Sequence, residues 1–169
     1  MTVFLIGFMG AGKTTLGKKL APKLQCTFID VDHLLEQQEG MSIKDVIAAH
    51  GEPYFRQRES ETLRSIDLDN KIISTGGGTP CFHDNMAWMN AHGITLYLNV
   101  SEKAIYSRLK TVDREQRPLL RGLDDEQLRI FIKEKLNERR LFYEQALLAL
   151  DPISEPLNDV AEKIKNYIR

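Results

Sequence analysis

Cysteine is scarce: the 169 residues hold two, Cys26 and Cys81, each standing alone. Neither belongs to a metal-ligand spacing, and two isolated thiols make no disulfide framework. Both are expected to be reduced and structural. An excess of either charge is also lacking, with 23 Lys and Arg against 24 Asp and Glu and a net charge of -1. A chain without a basic surplus has no general grip on nucleic acid phosphates, and there is no acidic tail. No window reaches the ~18 uncharged apolar residues of a membrane helix. Neither a nucleic acid nor a membrane is therefore an expected partner. Met1 to Ala11 lacks a basic n-region and runs straight into glycines, so it reads as a buried strand rather than a signal peptide. Internal repeats, low-complexity tracts and Pro/Gly/Ser linkers are missing, and the six prolines are scattered. The expectation is one domain over residues 1–169, cytoplasmic and monomeric.

What is present is an ordinary mixture for a folded chain, 42% hydrophobic and 28% charged. Short apolar runs alternate with helical patterns. Val3 to Ile6, Phe28 to Val31, Ile72 with Ile73, and Ile94 to Leu98 read as strands, and a short fifth is expected around Ile153. Helices are expected over Thr14 to Leu24, Asp32 to Gln38, from Ser42 with Asp45 in capping-box position, Tyr54 to Ile66, and His83 to Asn90. Others are expected after Ser101, over Asp124 to Leu150, and over Asn158 to Tyr167. Short apolar strands separated by helices imply an α/β fold, a parallel sheet covered on both faces. Ligands of such sheets bind beyond the carboxyl ends of the strands.

The residues that follow the first strand are Gly7-Phe8-Met9-Gly10-Ala11-Gly12-Lys13-Thr14, a match to G-x-x-x-x-G-K-[ST]. Glycines let several N–H groups converge on one phosphate, and the helix that follows adds its positive end. Lys13 reaches the outer phosphates of a nucleotide and Thr14 offers a hydroxyl to Mg²⁺. A chance match at this composition is expected on the order of 0.005 times. A guanine-nucleotide switch is excluded: Asn70-Lys71 is followed by Ile72-Ile73, and no Asp has Gly three residues later. A small phosphotransferase with a lid remains.

Asp30 and Asp32 end the second strand, where one carboxylate can hold a metal-bound water and the other can orient or deprotonate a hydroxyl. Asp32 would serve equally well as a helix N-cap. Arg56 and Glu59 lie three apart on one helix and read either as a solvated ion pair or as the mount of an anion-gripping guanidinium. Gly76-Gly77-Gly78 after the third strand is either a plain turn or a floor that a ligand approaches closely. Ser74 there can support a metal through water. Val112 to Arg121 reads as a mobile lid carrying Arg117, or as a surface loop. Arg139, Arg140 and Tyr143 add cationic density to the long helix that follows.

Taken together, these elements resemble the shikimate kinase family. The matching set is Gly7 to Thr14, Asp30-x-Asp32, Gly51-Glu52-x-x-Phe55-Arg56-x-x-Glu59, Gly76-Gly77-Gly78, Arg117-Pro118-Leu119-Leu120 and Arg139-x-x-x-Tyr143. The resemblance implies the three-layer P-loop fold of nucleoside monophosphate kinases, with a five-stranded parallel sheet, a substrate-binding region over 32–60 and a lid over 111–123. It implies ATP- and Mg²⁺-dependent phosphorylation of the 3-hydroxyl of shikimate, on the way to aromatic amino acids. By position, Gly10, Ala11, Gly12, Lys13, Thr14 and Thr15 cradle ATP, and Arg117 joins Lys13 on the phosphates. Asp32, Arg56, Gly77, Gly78 and Arg139 bind shikimate, with Asp32 also the candidate base. Thr14 ligates the metal, and Asp30 and Ser74 reach it through water. Arg139 is chosen over Arg140 by its spacing to Tyr143. The turn Ser154 to Asn158 departs from the family, which often carries a basic residue there near adenine. The rival readings are another small-molecule kinase of this fold, acting on gluconate or a nucleoside monophosphate, and a non-catalytic nucleotide binder.

Overall fold

Val3, Phe4, Leu5 and Ile6 expose no surface at all, which is what an apolar run requires when it is the middle strand of a sheet covered on both faces. The computed structural model describes residues 1–112 and 118–168. Strand β1 (Thr2–Ile6) lies at the centre of a five-stranded parallel sheet in the order β2-β3-β1-β4-β5. The others are β2 (Thr27–Asp30), β3 (Lys71–Ser74), β4 (Ile94–Leu98) and β5 (Leu148–Leu150). Strand β1 pairs with β3 on one side and β4 on the other. The chain order therefore reverses at β1, and the crevice that such a reversal opens lies beyond its carboxyl end.

Helix α1 (Lys13–Lys23) packs on the sheet through Gly17, where a Cβ would stand 2.4 Å from the Phe28 ring. Helices α2 (Val31–Glu39), α3 (Ile43–His50) and α4 (Glu52–Ser65) follow β2. They enclose a small core of their own, Leu35, Val46 and Phe55, beside the main one. The Ser42 hydroxyl caps α3 by accepting the Asp45 amide. A 3₁₀ turn, Thr79–Cys81, precedes α5 (Asn85–His92). Helices α6 (Glu102–Leu109), α7 (Asp125–Tyr143) and α8 (Leu157–Ile168) complete the layers. Among the described residues no helix is long and apolar enough to cross a membrane.

Two expected elements fall elsewhere. Helix α7 stops at Tyr143 rather than running to Leu150, and the fifth strand is Leu148–Leu150 rather than a segment at Ile153, which is 59% exposed. Leu-Ala-Leu favours a helix intrinsically, yet pairing of Leu96 with Leu148 and Leu98 with Leu150 extends the sheet and overrides that preference. Helix α5 also begins two residues late, because His83 and Asp84 have φ of 50° and 54° and cannot be helical.

Candidate active site

Three chain segments meet beyond the carboxyl ends of β1, β2 and β3. The first is the loop Gly7–Gly12. Gly7, Gly10 and Gly12 have φ of 141°, 77° and 99°, values that side-chain-bearing residues rarely adopt. Lys13, in the first turn of α1, is nearly buried and folds its Nζ back onto the carbonyls of Gly7 at 2.7 Å and Phe8 at 3.0 Å. This braces the loop while keeping a positive charge at its mouth. The second segment is the end of β2. The β2–β3 register sets Asp30 beside Ser74, and Thr14 Oγ1 donates to Asp30 Oδ2 at 2.8 Å. A hydroxyl and a carboxylate in contact, with a second hydroxyl adjacent, form a hard-oxygen corner of the kind that suits Mg²⁺.

Asp32 does not cap α2. The cap position is Asp30, and Asp32 lies inside the first turn, so its carboxyl is left to face the cleft. Burial pushes its pKa from 3.8 up to about 7, helped by the negative Glu59 and Asp30 and opposed by Lys13. The rate limb this creates has a defined sign. If the reaction needs the carboxylate, kcat/KM rises with pH through about 7 and levels above it. A pH profile that is flat from pH 5.5 to 8.5 would contradict that requirement.

Arg56 and Glu59 are an ion pair, but not a solvated one. Arg56 is 7% and Glu59 0% exposed, and Arg56 Nη1 meets Glu59 Oε2 at 2.9 Å. Arg56 Nε and Nη2 reach Glu52 Oε1 at 3.3 and 3.2 Å. The guanidinium also lies 4.4 Å from the Phe82 ring centroid. Gly78 leaves room for this guanidinium: a Cβ there would stand 2.7 Å from Arg56 Nη2 and displace it. Gly77 is less tightly enclosed: a Cβ there would stand 3.1 Å from the Met9 amide and 3.3 Å from Arg139 Nη1. Arg139 is nearly buried while Arg140 is exposed. Among the described residues Arg139 Nη1 is buried with no hydrogen-bond partner, an expensive state for a charged donor unless a ligand completes it.

These groups line two adjoining clefts. One, of about 650 Å³, holds Gly10 to Thr15, Asp30, Ser74 and Arg108. The other, of about 690 Å³, holds Arg56, Glu59, Gly78 and Arg139. Met9, Asp32, Gly76 and Gly77 line both. Arg117 lies outside the described residues, as do residues 113–116 of the expected lid. The segment is described again from the 3₁₀ turn Pro118–Leu120, where Leu119 lines the second cleft and Leu120 is buried in the core.

Two contributors had no role assigned from the sequence. Arg108 on α6 donates to the carbonyls of Gly10 at 2.8 Å and Ala11 at 2.9 Å, across nearly a hundred residues. In sequence it is one more helical arginine. Tyr143 donates to the Gly77 carbonyl at 2.5 Å, its ring stacked on Tyr97. The sequence places Tyr143 in the Arg139-x-x-x-Tyr143 element, as a reference for choosing Arg139, without giving its hydroxyl a task.

A parallel sheet with a phosphate-binding loop at its switch point, opening onto a second, cation-bearing cleft, defines the class of P-loop kinases. The chain belongs to the shikimate kinase family, whose model matches residues 9–169. A shikimate kinase of Bacteroides fragilis is 45% identical over 145 residues, 85% of this chain and 80% of that one. The crystal structure of shikimate kinase from Bacteroides thetaiotaomicron superposes with a TM-score of 0.90 at 37% identity, covering 99% of this chain and 98% of the other. Shikimate kinase from Acinetobacter baumannii in complex with shikimate gives 0.84 at 32% identity, covering 99% and 92%.

Proposed function

We propose that this chain transfers the γ-phosphoryl group of ATP to the 3-hydroxyl of shikimate, giving shikimate 3-phosphate and ADP. The observation that carries the reading is the shared wall of the two clefts: Asp32 faces both the phosphate loop and the pocket that contains Arg56 and Arg139. A phosphoryl donor and a small anionic acceptor seated in them would meet at that carboxyl.

Each residue then has a physical task. The loop amides of Gly10 to Thr15 hold the phosphates, and Lys13 offsets charge on the group in transit. Arg117, from the segment not described, is assigned to the same phosphates. Arg56 and the buried Nη1 of Arg139 take the acceptor's carboxylate, and Gly77 and Gly78 keep the floor low enough for it to lie flat. Asp32 accepts the hydrogen bond of the attacking hydroxyl and takes its proton as the phosphoryl oxygen bond forms. The Thr14 hydroxyl, with Asp30 and Ser74 through water, would hold the Mg²⁺ that accompanies ATP and screens its phosphates. Among the described residues no three acidic, His or Cys side chains cluster as a metal cage. That suits an ion that keeps most of its waters and is held largely by the nucleotide.

The region 32–60, with its own small core, is read as the acceptor-binding part of a single domain, and 111–123 as its lid. The same reading takes the protein as a cytoplasmic monomer.

A coupled ADP-release assay with Mg-ATP tests the reaction, run with shikimate and in parallel with gluconate and AMP. Release is expected only with shikimate. Lys13→Ala should lower that rate by about 10²- to 10³-fold, the usual loss for one preorganised charge-stabilising group, with an unchanged far-UV spectrum. Release driven by gluconate or AMP instead would reassign the acceptor.

A further inference from the structure

The turn that carries the glycine floor also holds the far side of the cation clamp. Thr79, fully buried, donates its hydroxyl to Glu59 Oε1 at 2.6 Å. The other oxygen of that carboxylate, Oε2, accepts from Arg56 Nη1 at 2.9 Å. Glu59 is itself without exposed surface. A buried carboxylate is stable only when its oxygens are satisfied, and these two bonds satisfy one oxygen each. Thr79 is fixed in turn by Asn85, also fully buried, whose Nδ2 donates to the Thr79 carbonyl at 3.0 Å. Asn85 Oδ1 accepts from Ser60 at 2.9 Å and from Arg64 at 2.5 Å, both on α4, the helix that bears Arg56. The loop between β3 and α5 is thereby tied to α4 at both ends of the clamp.

From this we infer that Thr79 is a positioning residue for acceptor binding: acting through Glu59, and anchored by Asn85, it fixes the guanidinium of Arg56 above Gly78. The inference rests on the reading of Arg56 as the group that takes the acceptor's carboxylate. Without the Thr79 hydroxyl, Glu59 Oε1 has lost its donor and is drawn toward Arg56, the cation with which Glu59 is already paired. The guanidinium then shifts with it, away from the place where Gly78 leaves room. Thr79 does not line the cleft of the phosphate loop, so the expected effect on ATP binding is small.

The test compares Thr79→Val, which keeps the shape and removes the hydroxyl, with Thr79→Ser, which keeps the hydroxyl. Thr79→Val is expected to raise the KM for shikimate about tenfold or more, the scale of one buried hydrogen bond to a charged group, with the KM for ATP within twofold. Thr79→Ser is expected to restore the shikimate KM to within about threefold of wild type. An unchanged shikimate KM in Thr79→Val, whatever its melting temperature, overturns the inference, as does an equal rise in both KM values. Should Thr79→Val fail to fold, Asn85→Ala is read by the same split. Arg56→Ala run alongside separates the two levels. If it leaves the shikimate KM unchanged, the clamp reading itself fails. If it raises that KM while Thr79→Val does not, only the role of Thr79 fails.

Discussion

Asp32→Asn is expected to reduce turnover by about 10²- to 10⁴-fold, the range that a positioned general base contributes, and to leave the protein at least as stable as wild type at pH 8. Both effects have one source. Burial beside Glu59 and Asp30 raises the carboxyl pKa to about 7, so the folded state disfavours the charged form. A carboxyl whose pKa is raised on folding binds more protons in the native than in the unfolded state between pH 3.8 and about 7. Its contribution to stability is therefore present at low pH and lost as pH rises through that window. An isosteric neutral amide removes the penalty, and it also removes the rate limb near pH 7. Steady-state kinetics with a thermal melt at pH 6 and pH 8 checks all three. A variant that keeps wild-type turnover would remove Asp32 from the chemistry. One that is inactive and melts far below wild type at pH 8 would mean that the charged carboxylate stabilises the fold.

Arg56→Ala is expected to raise the KM for shikimate by about 10²-fold or more while the KM for ATP changes by less than about threefold. Truncating one partner of a buried, hydrogen-bonded charge pair typically costs ~2–5 kcal/mol, which corresponds to roughly 30- to 5,000-fold in binding. The asymmetry between substrates is the informative part. Arg56 lines the cleft of Gly78 and Arg139 and is absent from the one lined by the phosphate loop. Some melting temperature will be lost as well, because Glu59 loses its ion-pair partner and, among the described residues, keeps the Thr79 hydroxyl. Equal weakening of both substrates would show that Arg56 supports the sheet end as a whole rather than gripping an anion. Isothermal titration of each substrate separately distinguishes these outcomes.

The phosphate loop was legible at once, because its chemistry is local: glycines that adopt positive φ, a lysine and a hydroxyl within eight residues, between a strand and a helix. The strand-helix alternation was equally legible, since apolar periodicity is written in consecutive residues. Leu148–Leu150 was not. Its propensity is helical, and only the open edge of β4 makes it a strand. Asp32 shows the same limit at one residue. By composition it suited a helix cap, but the cap falls two residues earlier, at Asp30, and leaves Asp32 toward the cleft.

The sequence by itself therefore determined the class of fold, the phosphate-binding chemistry and, through its motif set, the kinase family. These follow from residue types at short, fixed spacings. Only the tertiary structure decided which charges are buried and what they face. Arg56 with Glu59 reads as an ordinary surface pair until α4 is packed against the loop after β3. There burial removes the competing water, and the pair becomes a rigid mount. Arg108, ninety-odd residues from the phosphate loop, meets it only because β1 and β4 are neighbours in the sheet. Long-range proximity and desolvation arise only when the chain closes on itself, and they decide whether a charge is solvated scenery or part of the site.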